Sequence, residues 1–399
     1  MKARSVEGGT VTSPQGFVAG ATYAGLKVKG GLDVGILYSE APCFAAGLFT
    51  TNRIKAAPVV CSQKHLADGR GRAIVVNSGC ANACTGDQGM RDAEAMTELA
   101  AKKLGITPGE VVVASTGVIG ERLPVERVAA GVEKVSLSRE GGHELARAIM
   151  TTDTSPKEIA VKVDGGGFVI GGIAKGSGMI HPTLGTLLCF LTTDAAVDGR
   201  FLETALRDAV DVSFNMVTID GDTSPNDTVV ILANGMAGNE AFTQGTAAGE
   251  AFGEALTEVC TYLARRIAAD GEGAGKLIEV TVEGALSIGE ARMAARTIAG
   301  SPLLKAAVHG CDPNWGRVIA ALGRSGAEID GTRIDLFLDS MCLMAQGVPG
   351  TFDRDRAKAV MGRSEVPIRV CLNLADCSAT AWGCDLTAEY VAINSEYTT

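Results

Sequence analysis

Hydroxyl side chains at the ends of apolar runs are the first candidates for chemistry in this chain. A Ser or Thr hydroxyl is a weak nucleophile unless a neighbouring base removes its proton. The 399 residues include only four histidines, His65, His143, His181 and His309, and these lie far apart in no metal-binding or catalytic pattern. An α-amino group, with a pKa of about 7.7–8.0, can serve as the base instead. A nucleophile of that kind must stand at a chain N-terminus.

Gly185-Thr186 meets this requirement if the chain cuts itself there. The glycine-rich loop KGSGMIHPTLG (175–185) precedes Thr186, which opens the apolar run TLLCFLTTDA (186–195). The Thr186 hydroxyl could attack the carbonyl carbon of Gly185 in an N→O acyl shift, and hydrolysis would then free the amine. The pattern by itself favours a plainer interpretation, a β-branched residue at the start of a buried strand.

Ser115-Thr116-Gly117 is the candidate oxyanion hole that such a nucleophile needs. It follows a strand predicted over 111–114 and places a hydroxyl beside a glycine backbone N–H. Donors of this type stabilise the negative charge that develops during acyl transfer. Pattern alone again favours the plainer interpretation, an ordinary exit from a strand into a turn.

Metal and phosphate sites are less well supported. Cys80-x-x-x-Cys84 could hold a metal, but two small residues in a turn-rich run explain it better. The segment Lys175-Gly-Ser-Gly178 could present N–H groups to an anion, but it lacks the spacing of a phosphate-binding loop. We therefore expect neither a metal nor a bound cofactor.

The elements that must position these residues are mixed. We expect helices over 92–104, 124–135, 200–212, 249–269, 289–298, 302–308 and near 354–361, the last being the one helix of the final ninety residues. We expect strands over 34–38, 57–61, 111–114, 158–163, 167–174 and 280–282. There is no fixed-period repeat, no linker and no regular βαβ alternation. The fold class is therefore α+β, with layered sheets and helices.

Composition narrows the functional class. A net charge of −10 disfavours nucleic acid or an anionic membrane as the main partner. No apolar run is long enough to span a membrane, and no secretory signal is visible at the N-terminus. The eleven cysteines form no C-x-x-C pair, so we expect free thiols in the cytoplasm.

Several separate motifs also carry a family resemblance along essentially the whole chain. They are NSGCANACTG (77–86), ASTGVIGERLP (114–124), ARAIMTTDTSPK (146–157), the run at 175–195, SFNMVTIDGDTSPNDT (213–228), DGEGAGKLIEV (270–280), AVHGCDPNWGR (307–317) and YVAINSEYTT (390–399). In these motifs the chain resembles the ornithine acetyltransferases, also called glutamate N-acetyltransferases, the family of arginine biosynthesis bifunctional proteins.

The resemblance implies a self-cleaving N-terminal-nucleophile enzyme. Its fold would be the layered αββα-type sandwich shared with the β-peptidyl aminopeptidases. Cleavage would give an alpha chain, 1–185, and a beta chain, 186–399, that fold together and assemble as α2β2 or larger. A C-terminal α+β lobe would begin at about residue 280.

Site residues follow from the matching motif positions. Thr186 resembles the nucleophile, and Thr116 and Gly117 match the oxyanion pair. The substrate-binding positions are matched by Thr152 (or its neighbour Thr151), Lys175, Thr186, Glu272, Asn394 and Thr399. A lysine can neutralise a substrate carboxylate and a glutamate can hold an ammonium group.

The implied reaction is ping-pong transfer of acetyl from N2-acetylornithine to glutamate through acetyl-Thr186. Whether acetyl-CoA also serves as a co-substrate stays open. One rival is an amidase or aminopeptidase of the same fold that uses the same threonine. Another is an uncleaved protein that binds amino acids without catalysis.

Three positions depart from the family pattern. Gly185 stands where alanine is more common, Gly275 replaces a threonine, and Pro225 lies within the run usually written DTSTND. None of them removes a catalytic group. Gly275 and Pro225 alter the loops that contain Glu272 and Asp222.

Overall fold

The computed structural model of the chain describes residues 2–181 and 187–396. The helices in these ranges are α1 Ala57–His65, α2 Gly86–Leu104, α3 Val125–Lys134, α4 Gly142–Ala148, α5 Gly199–Asp211, α6 Ala247–Ala269, α7 Ile288–Ala299, α8 Pro302–His309, α9 Trp315–Gly323, α10 Arg354–Met361 and α11 Ala388–Glu396.

The strands fall into two sheets. They are β1 Lys2–Ser5, β2 Phe17–Thr22, β3 Val34–Phe49, β4 Arg70–Cys80, β5 Val111–Val118, β6 Lys157–Asp164, β7 Phe168–Lys175, β8 Leu188–Thr193, β9 Thr228–Ala233, β10 Leu277–Ala285, β11 Asp335–Leu338, β12 Met341–Ala345, β13 Val348–Pro349, β14 Glu365–Cys371 and β15 Cys377–Cys384.

The larger sheet bends around the long strand β3. Its order is β1-β6-β7-β8-β9-β3-β4-β5, with β2 also paired to β3. Residues 34–38 of β3 pair with β4, which pairs again with Cys43 and Phe44 after a register shift, and residues 44–49 pair with β9. Ile74 of β4 and Val112 of β5 consequently share one buried core with Phe190 of β8 and Leu232 of β9. The two halves of the sheet therefore face each other.

Helices cover both outer faces of this bent sheet. Side chains alternate along each strand, so Ala73 and Val75 of β4 point away from Ile74 and pack on α2 and α3. On the opposite side, Leu191 of β8 and Ile231 of β9 pack on α5 and α6. The order of layers is helix, sheet, sheet, helix, which confirms the α+β class and the αββα-type sandwich.

The smaller sheet lies in the C-terminal third of the chain, with strand order β13-β12-β11-β14-β10-β15. Its core residues are continuous with those of α5, α6 and β6–β9. The predicted division between residues 185 and 186 falls between β7 and β8, which are hydrogen-bonded neighbours in the larger sheet. It therefore falls inside one layer, and the two-chain division itself stays a prediction.

Two expectations about individual elements are wrong. Residues 57–61, expected as a strand, form the start of α1 because Pro58 lies in the first helical turn, where its fixed φ favours helix. The final ninety residues hold α9 and α11 as well as α10. Helix α11 buries none of its side chains, so its sequence carries no apolar period to reveal it.

No helix within residues 2–181 and 187–396 is long and apolar enough to cross a membrane.

Candidate active site

A cavity lies where β5, β7 and the segment before β9 end. Six of the predicted site residues line it together: Thr116, Gly117, Thr152, Lys175, Glu272 and Asn394. They come from positions far apart in the chain, so the fold alone brings them together. Among the described residues that line this cavity there is no histidine.

Thr116 and Gly117 are held at the end of β5 by close backbone packing. Gly117 has a φ of +131°, and a Cβ atom there would lie 2.4 Å from the backbone carbon of Gly79, so only glycine fits. Next to this pair, Asn226 donates from its amide nitrogen to the carbonyls of Ser115 (2.9 Å) and Ala81 (2.6 Å). The end of β5 is thereby fixed against the start of β9.

Lys175 is the last residue of β7 and its ammonium group is buried. Its ion-pair partner among the described residues is Asp153, at an N–O distance of 3.9 Å. Burial lowers the pKa of Lys175, and Asp153 opposes that shift. A buried cation with so distant a partner has room to bind an anionic group of a ligand.

Asp153 is shared between two lysines. Its carboxylate accepts from the Lys157 ammonium at 2.7 Å and from the Gly176 backbone N–H at 2.7 Å. Burial would raise the pKa of Asp153, but Lys175 and Lys157 outweigh burial and hold the pKa at about 2. Lys157 also donates to Asp270 at 2.5 Å. This buried chain of charges fixes the loop that carries Thr151 and Thr152.

Glu272 closes the opposite side of the cavity. Its backbone N–H donates to the carbonyl of Ser177 at 2.8 Å, and its carboxylate accepts from Asn394 of α11 at 2.8 Å. A Cβ on Gly178 would lie 2.5 Å from the Glu272 carboxylate, so a larger residue there would displace the Glu272 side chain. The charged end of Glu272 thus packs directly over the 175–178 loop.

Thr151 and Thr152 both line the cavity. The Thr152 hydroxyl lies 2.7 Å from the hydroxyl of the buried Ser177, while the Thr151 backbone N–H donates to Asp153. The assignment of substrate contact to Thr152 stays a prediction.

Gly185, Thr186 and Thr399 lie outside the described residues. Leu187 and Leu188, which follow Thr186 in the chain, are described. Leu187 donates its backbone N–H to Asp227 at 3.0 Å, and its carbonyl accepts from Thr228 at 3.0 Å. Leu188 pairs with Thr228 in parallel and with Lys175 in antiparallel fashion. The N-terminal end of β8 is therefore next to Lys175 and to Asp227.

Three residues near the site are not predicted from the sequence, although they lie within the family motifs. They are Asp153, Asn226 and Asp227, and all three are buried. Met179, which also lines the cavity, has a left-handed backbone conformation with a φ of +55°, and its N–H donates to the Asp220 carboxylate at 2.6 Å. A run rich in Asp, Asn and Gly signals turns, and pattern alone could not have told which of its polar residues become buried.

The candidate metal pair, Cys80 and Cys84, is not among the described residues that line this cavity, whereas Lys175 and Gly178 of the candidate anion loop are. Cys80 is buried and its thiol points to the carbonyl of Glu121, whereas Cys84 is exposed. Across the described residues, no group of His, Cys, Asp and Glu is arranged to hold a metal ion.

The chain is similar to known proteins over nearly its whole length. The ArgJ family model matches residues 18–399. The arginine biosynthesis bifunctional protein ArgJ of Dehalococcoides mccartyi is 53% identical over 395 residues, covering 98% of each chain. The protein of the same name from Symbiobacterium thermophilum is 54% identical over 397 residues, covering 98% of this chain and 99% of its own.

A solved structure matches one part of the chain. The crystal structure of the arginine biosynthesis bifunctional protein ArgJ from Bacillus halodurans is 44% identical, with a TM-score of 0.51. The match covers 97% of that chain and 52% of this one. Taken with the family match across residues 18–399, these similarities show that the chain belongs to the ArgJ family.

Proposed function

We propose that the chain cuts itself between Gly185 and Thr186 and then transfers acetyl from N2-acetylornithine to glutamate through an ester on Thr186. As a member of the ArgJ family, the chain is an acetyltransferase of arginine biosynthesis. The observation that carries the proposal is the shared cavity, which combines oxyanion donors, a buried lysine and a carboxylate without a histidine base.

In the first half-reaction the amine of Thr186 takes the proton from its own hydroxyl, directly or through a water. The oxygen attacks the acetyl carbonyl carbon of N2-acetylornithine, and the carbonyl oxygen gains negative charge. The Thr116 hydroxyl and the Gly117 N–H stabilise that oxyanion. The C–N bond then breaks, the leaving nitrogen takes the proton, and ornithine departs from acetyl-Thr186.

In the second half-reaction glutamate enters the same cavity. Its neutral amine attacks the ester carbonyl, and the bond to the Thr186 oxygen breaks. The Thr186 amine carries a proton from the attacking nitrogen to that oxygen, and N-acetylglutamate leaves. Both amino acids carry an α-carboxylate, for which the buried ammonium of Lys175 is the natural partner. Glu272 then faces the ammonium-bearing end of the ornithine substrate. Thr152, Asn394 and Thr399 complete the substrate contacts in this proposal.

The length of the Bacillus halodurans chain supports self-cleavage. The match covers 97% of the Bacillus halodurans chain but 52% of the present 399 residues. The Bacillus halodurans chain is therefore about half as long as this one. A product running from residue 186 to 399 would have that length.

Other features of the proposal follow from the same reaction. Acyl transfer by Thr186 requires no metal and no bound cofactor. The two chains stay folded together because β7 and β8 pair in one sheet, and we expect them to assemble as α2β2 or larger in the cytoplasm.

The decisive test combines intact mass with the variant Thr186→Ala. Wild type should give two masses, for residues 1–185 and 186–399, and Thr186→Ala should give one uncleaved and inactive chain. A matched control is Thr183→Ala, which changes a threonine three residues before the nucleophile. A fully active single chain of 399 residues would contradict the proposal.

A second assay separates transfer from hydrolysis. Release of ornithine from N2-acetylornithine should depend on glutamate and should yield N-acetylglutamate in equal amount. Ornithine release at the same rate without glutamate would instead identify an amidase.

A further inference from the structure

Asn226 lines the cavity just before β9, and the two ends of its side-chain amide have different surroundings. Only 5% of the residue is exposed. Its nitrogen donates to the carbonyls of Ala81 at 2.6 Å and Ser115 at 2.9 Å, which uses both of its hydrogens. A backbone carbonyl can only accept, so the amide nitrogen must face these two partners and the amide oxygen must face elsewhere. The fold therefore fixes the orientation of this amide.

The side-chain oxygen of Asn226 is a free acceptor that opens on the cavity. The hydrogen bonds of Asn226 with described residues use its backbone and its side-chain nitrogen, and none uses this oxygen. Unpartnered side-chain atoms that are sealed from solvent in the described part of the chain belong to other residues, Thr10, Asp227 and Glu290. Buried polar groups are normally hydrogen-bonded, so an acceptor held open in a buried side chain indicates a donor on a ligand.

The charge of the other polar groups indicates what kind of donor this is. Lys175 and Glu272 line the same cavity and supply the full charges that suit the carboxylate and ammonium groups of an amino acid. The Asn226 oxygen carries no charge, so it is the acceptor suited to a neutral N–H. In N2-acetylornithine the neutral N–H is that of the acetamido group.

The position of Asn226 places its oxygen close to the proposed oxyanion pair, Thr116 and Gly117. The carbonyl that Asn226 binds on Ser115 belongs to the peptide group whose nitrogen is that of Thr116. One hydrogen bond and one amide group therefore separate the Asn226 oxygen from the Thr116 backbone. We propose that Asn226 selects secondary amides, its side-chain oxygen accepting the acetamido N–H while the oxyanion pair receives the acetyl carbonyl oxygen.

This inference rests on the proposed function and names the class of acetyl donor that the site prefers. N2-acetylornithine and N-acetylglutamate both carry an N–H on the nitrogen that bears the acetyl group, so one acceptor serves both half-reactions. An ester has oxygen in place of that N–H, and a tertiary amide has a methyl group in place of the hydrogen. Neither can donate to Asn226.

The experiment compares two acetyl donors on the cleaved enzyme. One is N2-acetylornithine, and the other is its 2-acetoxy analogue, in which an ester oxygen replaces the N–H. Wild type is compared with Asn226→Leu, which has a similar shape but no acceptor. Leaving one buried hydrogen-bonding group unpaired typically costs about 10- to 100-fold. We expect Asn226→Leu to lower kcat/KM for the amide by about 10- to 100-fold more than for the ester.

A matched control removes an anchor of the same segment without touching the cavity. The Thr50 hydroxyl donates to the carbonyl of Ser224 at 2.6 Å, two residues before Asn226. Thr50 is buried and is not among the described residues that line the cavity. Thr50→Val should therefore change kcat/KM for the amide and the ester by the same factor, which is the signature of a purely structural role.

Two results would overturn the inference. One is Asn226→Leu lowering kcat/KM for the amide and the ester by the same factor, since Asn226 would then only hold the two strand ends together. The other needs wild type alone and decides the matter even if Asn226→Leu fails to fold or to cleave. N2-acetyl-N2-methylornithine, a tertiary amide, should have a kcat/KM at least about tenfold below that of N2-acetylornithine, and an equal value would contradict the inference. Either result can occur while wild type cleaves itself and transfers acetyl to glutamate, so the proposed function would survive.

Discussion

Two walls of the cavity present different kinds of polar groups. The oxyanion wall, named for the role proposed for Thr116 and Gly117, offers a hydroxyl and a backbone N–H, and packing against Gly79 fixes Gly117 in place. The charged wall, Lys175 and Glu272, consists of two buried charged side chains, and Lys175 forms an ion pair with the buried Asp153. One wall therefore offers dipoles, and the other offers full charges.

This difference indicates how the two walls divide the work. Fixed dipoles matter most where charge develops during the reaction, so the oxyanion wall should act on the transition state. A buried ammonium binds a carboxylate that is present throughout, so the charged wall should act on the bound substrate and the transition state alike. The first wall should therefore control kcat, and the second should control KM.

The largest effect is expected at the oxyanion wall. Thr116→Val keeps the shape of this buried residue but removes its hydroxyl. Loss of one oxyanion donor typically lowers kcat by about 10²–10³-fold. We expect a loss of that size with little change in KM, measured by steady-state kinetics on the cleaved enzyme.

The matched control is Thr116→Ser, which retains a hydroxyl at the same position. It should keep most of the activity. If Thr116→Val raised KM and left kcat unchanged, Thr116 would be a binding residue and the assignment of the oxyanion wall would be wrong.

A somewhat smaller effect is expected at the charged wall. Lys175→Met removes the buried ammonium and leaves Asp153 paired with Lys157. Losing one partner of a buried ion pair costs about 2–5 kcal/mol, so kcat/KM should fall by about 10²-fold. Because both amino acids carry an α-carboxylate, KM should rise for N2-acetylornithine and for glutamate alike.

The exposed Lys134 at the end of α3 supplies the control, since Lys134→Met removes a charge far from the cavity. This variant should behave as wild type. A rise in KM for only one of the two substrates with Lys175→Met would contradict a shared carboxylate site.

The smallest effect is expected where the charged wall meets the C-terminal helix. Asn394→Ala removes the hydrogen bond to Glu272, worth about 1 kcal/mol, so KM for N2-acetylornithine should rise about fivefold. Ser395→Ala, whose hydroxyl bonds within the same helix, is the control. Equal KM values for the two variants would show that Asn394 does not contribute to substrate binding.

The sequence predicts some parts of this arrangement and not others. Helices such as α6 and α10 follow from apolar period and capping, and the site residues on strand ends follow from motif resemblance. The bend in β3 cannot be read locally, because it depends on which strands pair with each half. Asp153 and Asp227 look like ordinary turn residues until the fold buries them. Helix α11 gives no apolar signal because it packs through polar contacts.

The most direct test of the central claim is a trapped acetyl-enzyme. The cleaved enzyme is mixed with N2-acetylornithine in the absence of glutamate, quenched in acid, and examined by intact mass and fragmentation. The account predicts a gain of about 42 Da, one acetyl group, on the fragment that begins at residue 186. It also places that group on the Thr186 oxygen and predicts its loss when glutamate is added. Acetyl transfer at full rate with no adduct on this fragment, or an adduct on another residue, would contradict it.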